Sequence, residues 1–295
     1  LLVDQAWGAH LGFHPDLPAH ALALGADGLV TSAHKTLPAF TQGAYLLGRR
    51  GPLNLARLGE AFELLHTTSP SAAILASLDR ARMLVATRGR ELLGRTVALA
   101  AQARAELARV EGLRLVDPSL VERYPSVAAV DPTKLVLALA GTGADGLEVE
   151  ADLFAEGIRV ELANRDTLVP LLTVGDTEES VARLVTALGR SLERWRGSPR
   201  SPGGASAVWS VAPEVALSPR QAFFSSREAI PVERAAGRVA AEMVAPYPPG
   251  IPALAPGEVV SASLLEALRE ARAAGTRLAY CADPKLRTLE VVARA

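Results

Sequence analysis

The 295-residue chain sets 31 lysines plus arginines against 32 aspartates plus glutamates, a net charge of −1, and 49% of its residues are hydrophobic. That balance gives no electrostatic case for binding nucleic acid, while the apolar content suffices for sizeable cores in two or more domains. No apolar run reaches the roughly 18 residues of a membrane-spanning helix, no signal peptide is expected, and the single Cys281 excludes an internal disulfide and fits a reducing, cytoplasmic setting.

In chain order, residues 1–4 predict a buried strand closed by Asp4. A loop rich in His and Pro follows, then a short helix near 19–24, a second strand at 28–32 and a third at 43–47. Short apolar strands separated by crossovers predict a mainly parallel sheet covered on both faces. Residues 53–110 contain Pro70 as their only proline and carry apolar residues at helical spacing, which predicts long helices with a boundary at Pro70 and a cap at Ser69 or Ser71. Strands are expected at 113–116, 135–140 and 169–174, and helices at 146–156 and 177–196. Residues 196–205 have linker composition. The last segment, from about 218, is expected to hold a helix at 232–244, a stiff proline turn at 247–252, and a helix at 262–274. A chain that opens inside a core strand ending in a carboxylate is expected to be the later part of a longer polypeptide.

Lysine is rare: Lys35, Lys134 and Lys285 are the three present. Lys35 follows the second strand in Thr31-Ser32-Ala33-His34-Lys35-Thr36, with Asp4 at the end of the first. An aspartate at one strand end and Ser-x-x-Lys after another is the arrangement that pyridoxal 5'-phosphate chemistry requires. The lysine amine condenses with the cofactor aldehyde, and the carboxylate keeps the pyridine nitrogen protonated so that the ring withdraws electrons. On residue types alone, a snorkelling lysine and an ordinary turn carboxylate account for the pair equally well. His10 and His14 are four apart, but Gly12 and Pro15 oppose a helix there, and neither a cysteine nor a carboxylate nearby completes a set, so no metal site is expected.

The stretch from Asp4 to Leu47, the segment Thr67-Thr68-Ser69-Pro70-Ser71 with the helix after it, and the proline-rich tail at 219–258 together resemble the Orn/Lys/Arg decarboxylase family, over almost the whole chain. The resemblance implies an α/β architecture. It comprises part of the large domain of the PLP-dependent, aspartate aminotransferase-like fold (1–83), a small α+β domain (84–200) and a carboxy-terminal α+β domain (210–295). It implies Lys35, Asp4 and His34 as catalytic residues, with His34 beside the cofactor. Ala6 would lie against one ring face, Trp7 would stand where many relatives have histidine, and the Ser32 hydroxyl would meet the phosphate. Thr68 and Ser69 would reach a neighbouring subunit's site, and Ala72 departs from the aromatic common just after that serine. The implied activity is decarboxylation of arginine, lysine or ornithine to its amine in polyamine metabolism, by a cytoplasmic homodimer or larger homo-oligomer with shared active sites. The alternatives are an aminotransferase or aldolase of the same fold, or a non-catalytic fragment pairing with a full-length subunit. The tail argues against the first. In this family the residues ahead of the first strand supply a phosphate-binding helix terminus and a stacking aromatic, so residues 1–295 alone are expected to bind the cofactor weakly. Glu242 and Glu258 read as solvated carboxylates.

Overall fold

The computed structural model describes residues 1–51, 53–201, 205–247 and 250–294. It contains two compact units. The first comprises residues 1–110, 115–136 and 170–189, and the second residues 111–114, 137–169 and 190–295.

The first unit opens with a three-stranded sheet of β1 (Leu2–Asp4), β2 (Gly28–Ser32) and β3 (Ala44–Gly48), ordered β1-β2-β3. β1 and β2 are parallel with Asp4 opposite Val30, whereas β2 and β3 are antiparallel with Val30 opposite Leu46. The sheet is therefore less parallel than the sequence predicts. The β2–β3 connection, residues 33–43, holds only the one-turn helix α1 (Ala33–Thr36), too little for the crossover that a parallel return needs. It turns back at Gln42, whose φ is 74°. The helix expected at 19–24 is a set of tight turns, with the Leu24 and Gly25 amides donating to carbonyls three residues back. Pro18 before it and Gly25 after it, at φ 100°, leave no length for propagation.

Helix α2 (Leu55–Leu65) is capped by the Asn54 side chain, which accepts from the Arg57 amide, and none of its residues is buried. Helix α3 (Ala72–Leu107) begins after Pro70 with Ser71 at its N-cap, but the Ser71 hydroxyl makes no capping bond. Its buried residues Ala81, Val85, Gly89, Leu92, Leu93, Thr96, Leu99, Ala100, Ala103 and Leu107 recur every three or four positions as one stripe. Ala81 and Val85 pack with Ala9 and Leu37.

Further on lie β4 (Arg114–Leu115), α4 (Leu120–Arg123), β5 (Leu137–Ala138), α5 (Gly146–Ala155), β6 (Leu162–Asn164), β7 (Thr167–Val169) and α6 (Glu178–Arg194). The strand expected at 169–174 lies earlier, as the second arm of a β6–β7 hairpin. Pro170 cannot donate to the ladder, and beyond it Leu171 keeps only an isolated bridge to Lys134. Helix α5 is capped by Asp145, which accepts from the Leu147 amide at 2.9 Å. Residues 196–201 are not a loose linker: the Arg200 guanidinium donates to Asp166, to the Gly143 and Ala144 carbonyls and to the Arg165 carbonyl. The middle of that expected linker, 202–204, lies outside the described residues.

The carboxy-terminal part of the second unit holds α7 (Pro219–Phe224), β8 (Arg227–Pro231), β9 (Ala245–Tyr247), α8 (Ala262–Ala273), β10 (Arg277–Ala279) and β11 (Thr288–Val292). β8 pairs with β11 and β9 with β10, both antiparallel. Leu254, Val260, Leu265, Leu268, Leu289 and Val291 fill the core there. The helix expected at 232–244 is absent. A single 3-10 turn, Val232–Arg234, gives way to an irregular strand-like segment bridging Val239 to Val259, Ala240 to Val291 and Val244 to Leu254. Gly237 at φ 77° stops helix growth. Glu242 is 7% exposed and accepts the amides of Ala282 and Glu290, so it is a buried staple and not a solvated carboxylate. Gly257, at φ 95°, is required because a Cβ there would lie 2.2 Å from the Leu217 carbonyl oxygen. Pro248 and Pro249 of the expected proline turn lie outside the described residues.

Candidate active site

β1 and β2 run parallel, so their carboxy ends lie at one edge of the sheet, and the candidate residues gather there. Asp4 ends β1, Ser32 ends β2, and α1 carries His34 and Lys35 one turn further. Residues two apart on a strand share a face, so Asp4, Val30 and Ser32 all point to the same side. The chain beyond Asp4 is fastened to β2: the Gln5 amide donates to the Val30 carbonyl at 2.8 Å and the Thr31 hydroxyl donates to the Gln5 carbonyl at 2.8 Å. The Gln5 side chain then spans the following turn, donating to the Gly8 carbonyl and accepting from the Ala21 amide.

One Asp4 oxygen accepts the Ala6 amide at 2.9 Å, which aims the carboxylate by the backbone of its own loop. His34 is held by its ring Nδ1 against the Gly43 carbonyl at 3.0 Å. Ser32 is the N-cap of α1, yet its hydroxyl makes no capping bond. Among the described residues the Lys35 amine has neither a hydrogen bond nor an ion pair, and the buried Thr36 hydroxyl beside it is also without a partner. A half-buried free amine, an uncommitted hydroxyl and a carboxylate with a spare oxygen fit the aldehyde, phosphate and ring nitrogen of pyridoxal phosphate. Ala6 and Trp7 are half-buried on the loop after Asp4. Thr68 and Ser69 are exposed between α2 and α3, where the Ser69 amide donates to the Thr67 hydroxyl, and no hydrogen bond joins them to Asp4, Ser32 or Lys35 among the described residues.

The opposite face of β2 and β3 borders a mostly apolar cavity of about 190 Å³ that includes Leu29, Thr31, Tyr45 and Leu47. It lies on the wrong side of the sheet for Asp4 and Ser32. A larger opening of about 570 Å³ sits in the second unit among Arg272, Arg277, Lys285 and Arg287, and holds none of the expected site residues.

A polar cluster that sequence reasoning missed stands behind the Asp4 loop. His10, 2% exposed, sets its Nε2 3.0 Å from an Asp131 carboxylate oxygen and 3.3 Å from the Thr133 hydroxyl. Lys134 is ion-paired with Asp131 and donates to the Trp7 carbonyl at 3.1 Å. Burial alone would raise the Asp131 carboxyl, but the hydrogen bond and charge of His10, with Lys134, outweigh it and hold the group well below the usual carboxylate range. The only signals in sequence were the Asp-x-x-Lys spacing and the scarcity of lysine, and neither names a partner more than 120 residues away.

Residues 1–180 match the Orn/Lys/Arg decarboxylase major domain and residues 204–278 the Orn/Lys/Arg decarboxylase C-terminal domain. The chain belongs to the Orn/Lys/Arg decarboxylase family. It is 38% identical over 295 residues to an arginine decarboxylase of Halalkalibacterium halodurans, covering 99% of this chain and 60% of that protein. It is 36% identical to an arginine decarboxylase of Bacillus anthracis, covering 99% and 59%. The chain thus spans about three-fifths of the length of these relatives. Among solved structures, the lysine decarboxylase of Francisella novicida superposes with a TM-score of 0.77 at 21% identity, over 99% of this chain and 53% of that one. The constitutive lysine decarboxylase of E. coli gives 0.76 at 23%, over 99% and 54%. These two likenesses show the fold.

Proposed function

We propose that this chain provides the lysine, the ring-nitrogen carboxylate and a phosphate hydroxyl of a pyridoxal phosphate-dependent decarboxylase acting on a basic amino acid. The observation that carries the reading is the placement of Asp4, Ser32 and Lys35 at adjoining ends of two parallel strands, with the amine and hydroxyl uncommitted. Family membership supports it. Relatives at 36–38% identity are named arginine decarboxylase and one at 28% is named lysine decarboxylase, which makes arginine the substrate to test first.

Bound cofactor supplies a sink for the electron pair left when carbon dioxide departs. Lys35 is the residue that would hold it, through the amine that carries no hydrogen bond or ion pair among the described residues. Asp4, negatively charged and aimed by the Ala6 amide, would keep a proton on the ring nitrogen. Ser32 would donate to a phosphate oxygen. Ala6 would lie against one ring face, where a larger side chain would intrude. Trp7 would border the same site, and His34, fixed by the Gly43 carbonyl, would stand beside the cofactor as a candidate proton donor to the substrate α-carbon. Thr68 and Ser69 would serve the site of a second subunit in a homodimer or larger assembly. Residues 1–83, 84–200 and 210–295 would act as the partial large domain, the small domain and the carboxy-terminal domain. A cytoplasmic role in making polyamines completes the proposal.

Carbon dioxide release by the full-length gene product from arginine, lysine and ornithine, with and without pyridoxal phosphate, tests this. Cofactor-dependent release from one of the three is expected. Transamination without carbon dioxide release would replace the reading by the aminotransferase one.

A further inference from the structure

Besides the Gln5 bonds to β2 and across the turn, two attachments to one distant segment hold the turn that follows Asp4. Its start is tied by the Trp7 carbonyl, which accepts from Lys134 Nζ at 3.1 Å, and its end by the His10 ring, which meets Asp131 at 3.0 Å. Both anchors stand on one short segment, Asp131–Lys134. Asp131 accepts from the Thr133 amide at 3.0 Å and from the Thr133 hydroxyl at 2.7 Å, as well as facing Lys134 and His10. That segment is itself fixed. The Arg104 guanidinium of α3 donates to the Pro132 and Lys134 carbonyls, the Leu172 amide donates to the Thr133 carbonyl and the Leu135 amide to the Pro170 carbonyl. Such a network is costly to build: His10 and Thr133 are at most 2% exposed, and the Asp131 and Lys134 side chains 13% and 16%. Buried paired charges add little net stability over apolar packing, but their hydrogen bonds fix geometry. Here Asp131, Thr133 and Lys134 are engaged, while the buried His10 Nδ1 and Arg104 Nε have no partner among the described residues.

What they fix is the loop that aims Asp4. The Asp4 carboxylate is oriented by the Ala6 amide, and Ala6 lies between two fastened points, Gln5 on β2 and Trp7 on Lys134. Releasing the Trp7 carbonyl loosens the Trp7–Gly8 peptide, which keeps its N–H on the Gln5 carbonyl, and so slackens the turn two peptide units from the Ala6 amide that orients the carboxylate. We infer that Lys134, Asp131 and His10 are positioning residues that hold the Asp4–Trp7 turn in place for the cofactor, acting through the Trp7 backbone without touching the reacting atoms. The inference rests on the cofactor-site reading above.

The test compares Lys134→Met, which loses both the charge and the donor, with Lys134→Gln, which keeps a donor for the Trp7 carbonyl, in the full-length gene product. Amide hydrogen exchange over residues 4–10 reads the turn directly, without cofactor. Titration with pyridoxal phosphate reads affinity and the position of the bound-cofactor absorbance band. In Lys134→Met, exchange at residues 6–10 should accelerate at least tenfold, cofactor affinity should fall about tenfold, and the band should shift. Lys134→Gln should recover most of each. Unchanged exchange in Lys134→Met overturns the inference. So does accelerated exchange with unaltered affinity and band, since the turn would then not serve the cofactor. A gene product that binds no pyridoxal phosphate before any substitution refutes the cofactor-site reading, and the inference falls with it, whatever the exchange data show of the turn.

Discussion

Asp4 and Ser32 end neighbouring parallel strands and face the same side of the sheet, Ser32 lying two residues beyond Val30, the register partner of Asp4. Backbone pairing thereby fixes the relative placement of the two strand ends, with Lys35 one helical turn away.

Asp4→Asn in the full-length gene product should retain the fold, since Asp4 is exposed and its one hydrogen bond is accepted equally by an amide oxygen. A neutral amide cannot hold the ring-nitrogen proton. Each unit of ring basicity lost is worth about 1.4 kcal/mol, so kcat should fall by two or more orders of magnitude with an unchanged melting curve. Near wild-type turnover would refute the electron-sink role.

The Asp131 cluster predicts a pH signature in stability. The folded-state value of the Asp131 carboxyl lies below its unfolded value of 3.8, so its stabilisation is complete above that pH and is lost as the pH falls through the folded value. His10, Lys134, Thr133 and Arg104 are the groups around it. Asp131→Asn should cost roughly 3 kcal/mol near neutral pH, measured by urea unfolding, and the gap from wild type should narrow as the pH falls below 3.8. A gap that stays constant down to acid would contradict this assignment.

Exposed apolar surface on the first unit predicts association. Leu2, Val30 and Leu46 are 72%, 45% and 41% exposed and share one sheet face, and Phe62 and Leu65 stand open on α2. Patches of this kind seldom remain solvated, and β1 is a sheet edge as well. The 295-residue chain produced by itself should self-associate in sedimentation velocity, and the triple change Leu2→Ser, Val30→Thr, Leu46→Thr should move it toward monomer. A monomeric unmodified chain would remove this argument.

Much of the first sheet was legible because its strands are short apolar runs closed by chemically distinctive residues: Asp4, then Ser32 three before Lys35. Helices α3, α5, α6 and α8 were legible from periodicity. Residues 232–244 misled because Val232, Ala235, Ala236, Val239 and Ala240 mimic a helical stripe, while Gly237 and the partners Val259, Val291 and Leu254 impose a strand-like path. Strand β6 was invisible, since three residues ending in Asn164 carry too little pattern. The His10–Asp131–Lys134 cluster was illegible for another reason: helices α1 to α4 separate His10 from Asp131, and the two pair only once the chain has folded back.

Borohydride reduction reads directly whether Lys35 carries the cofactor. The full-length gene product should be loaded with pyridoxal phosphate, reduced, digested and mapped by mass spectrometry. A single phosphopyridoxyl adduct is expected, on Lys35, among the three lysines of this chain. An adduct on Lys134 or Lys285, with Lys35 unmodified, would contradict it.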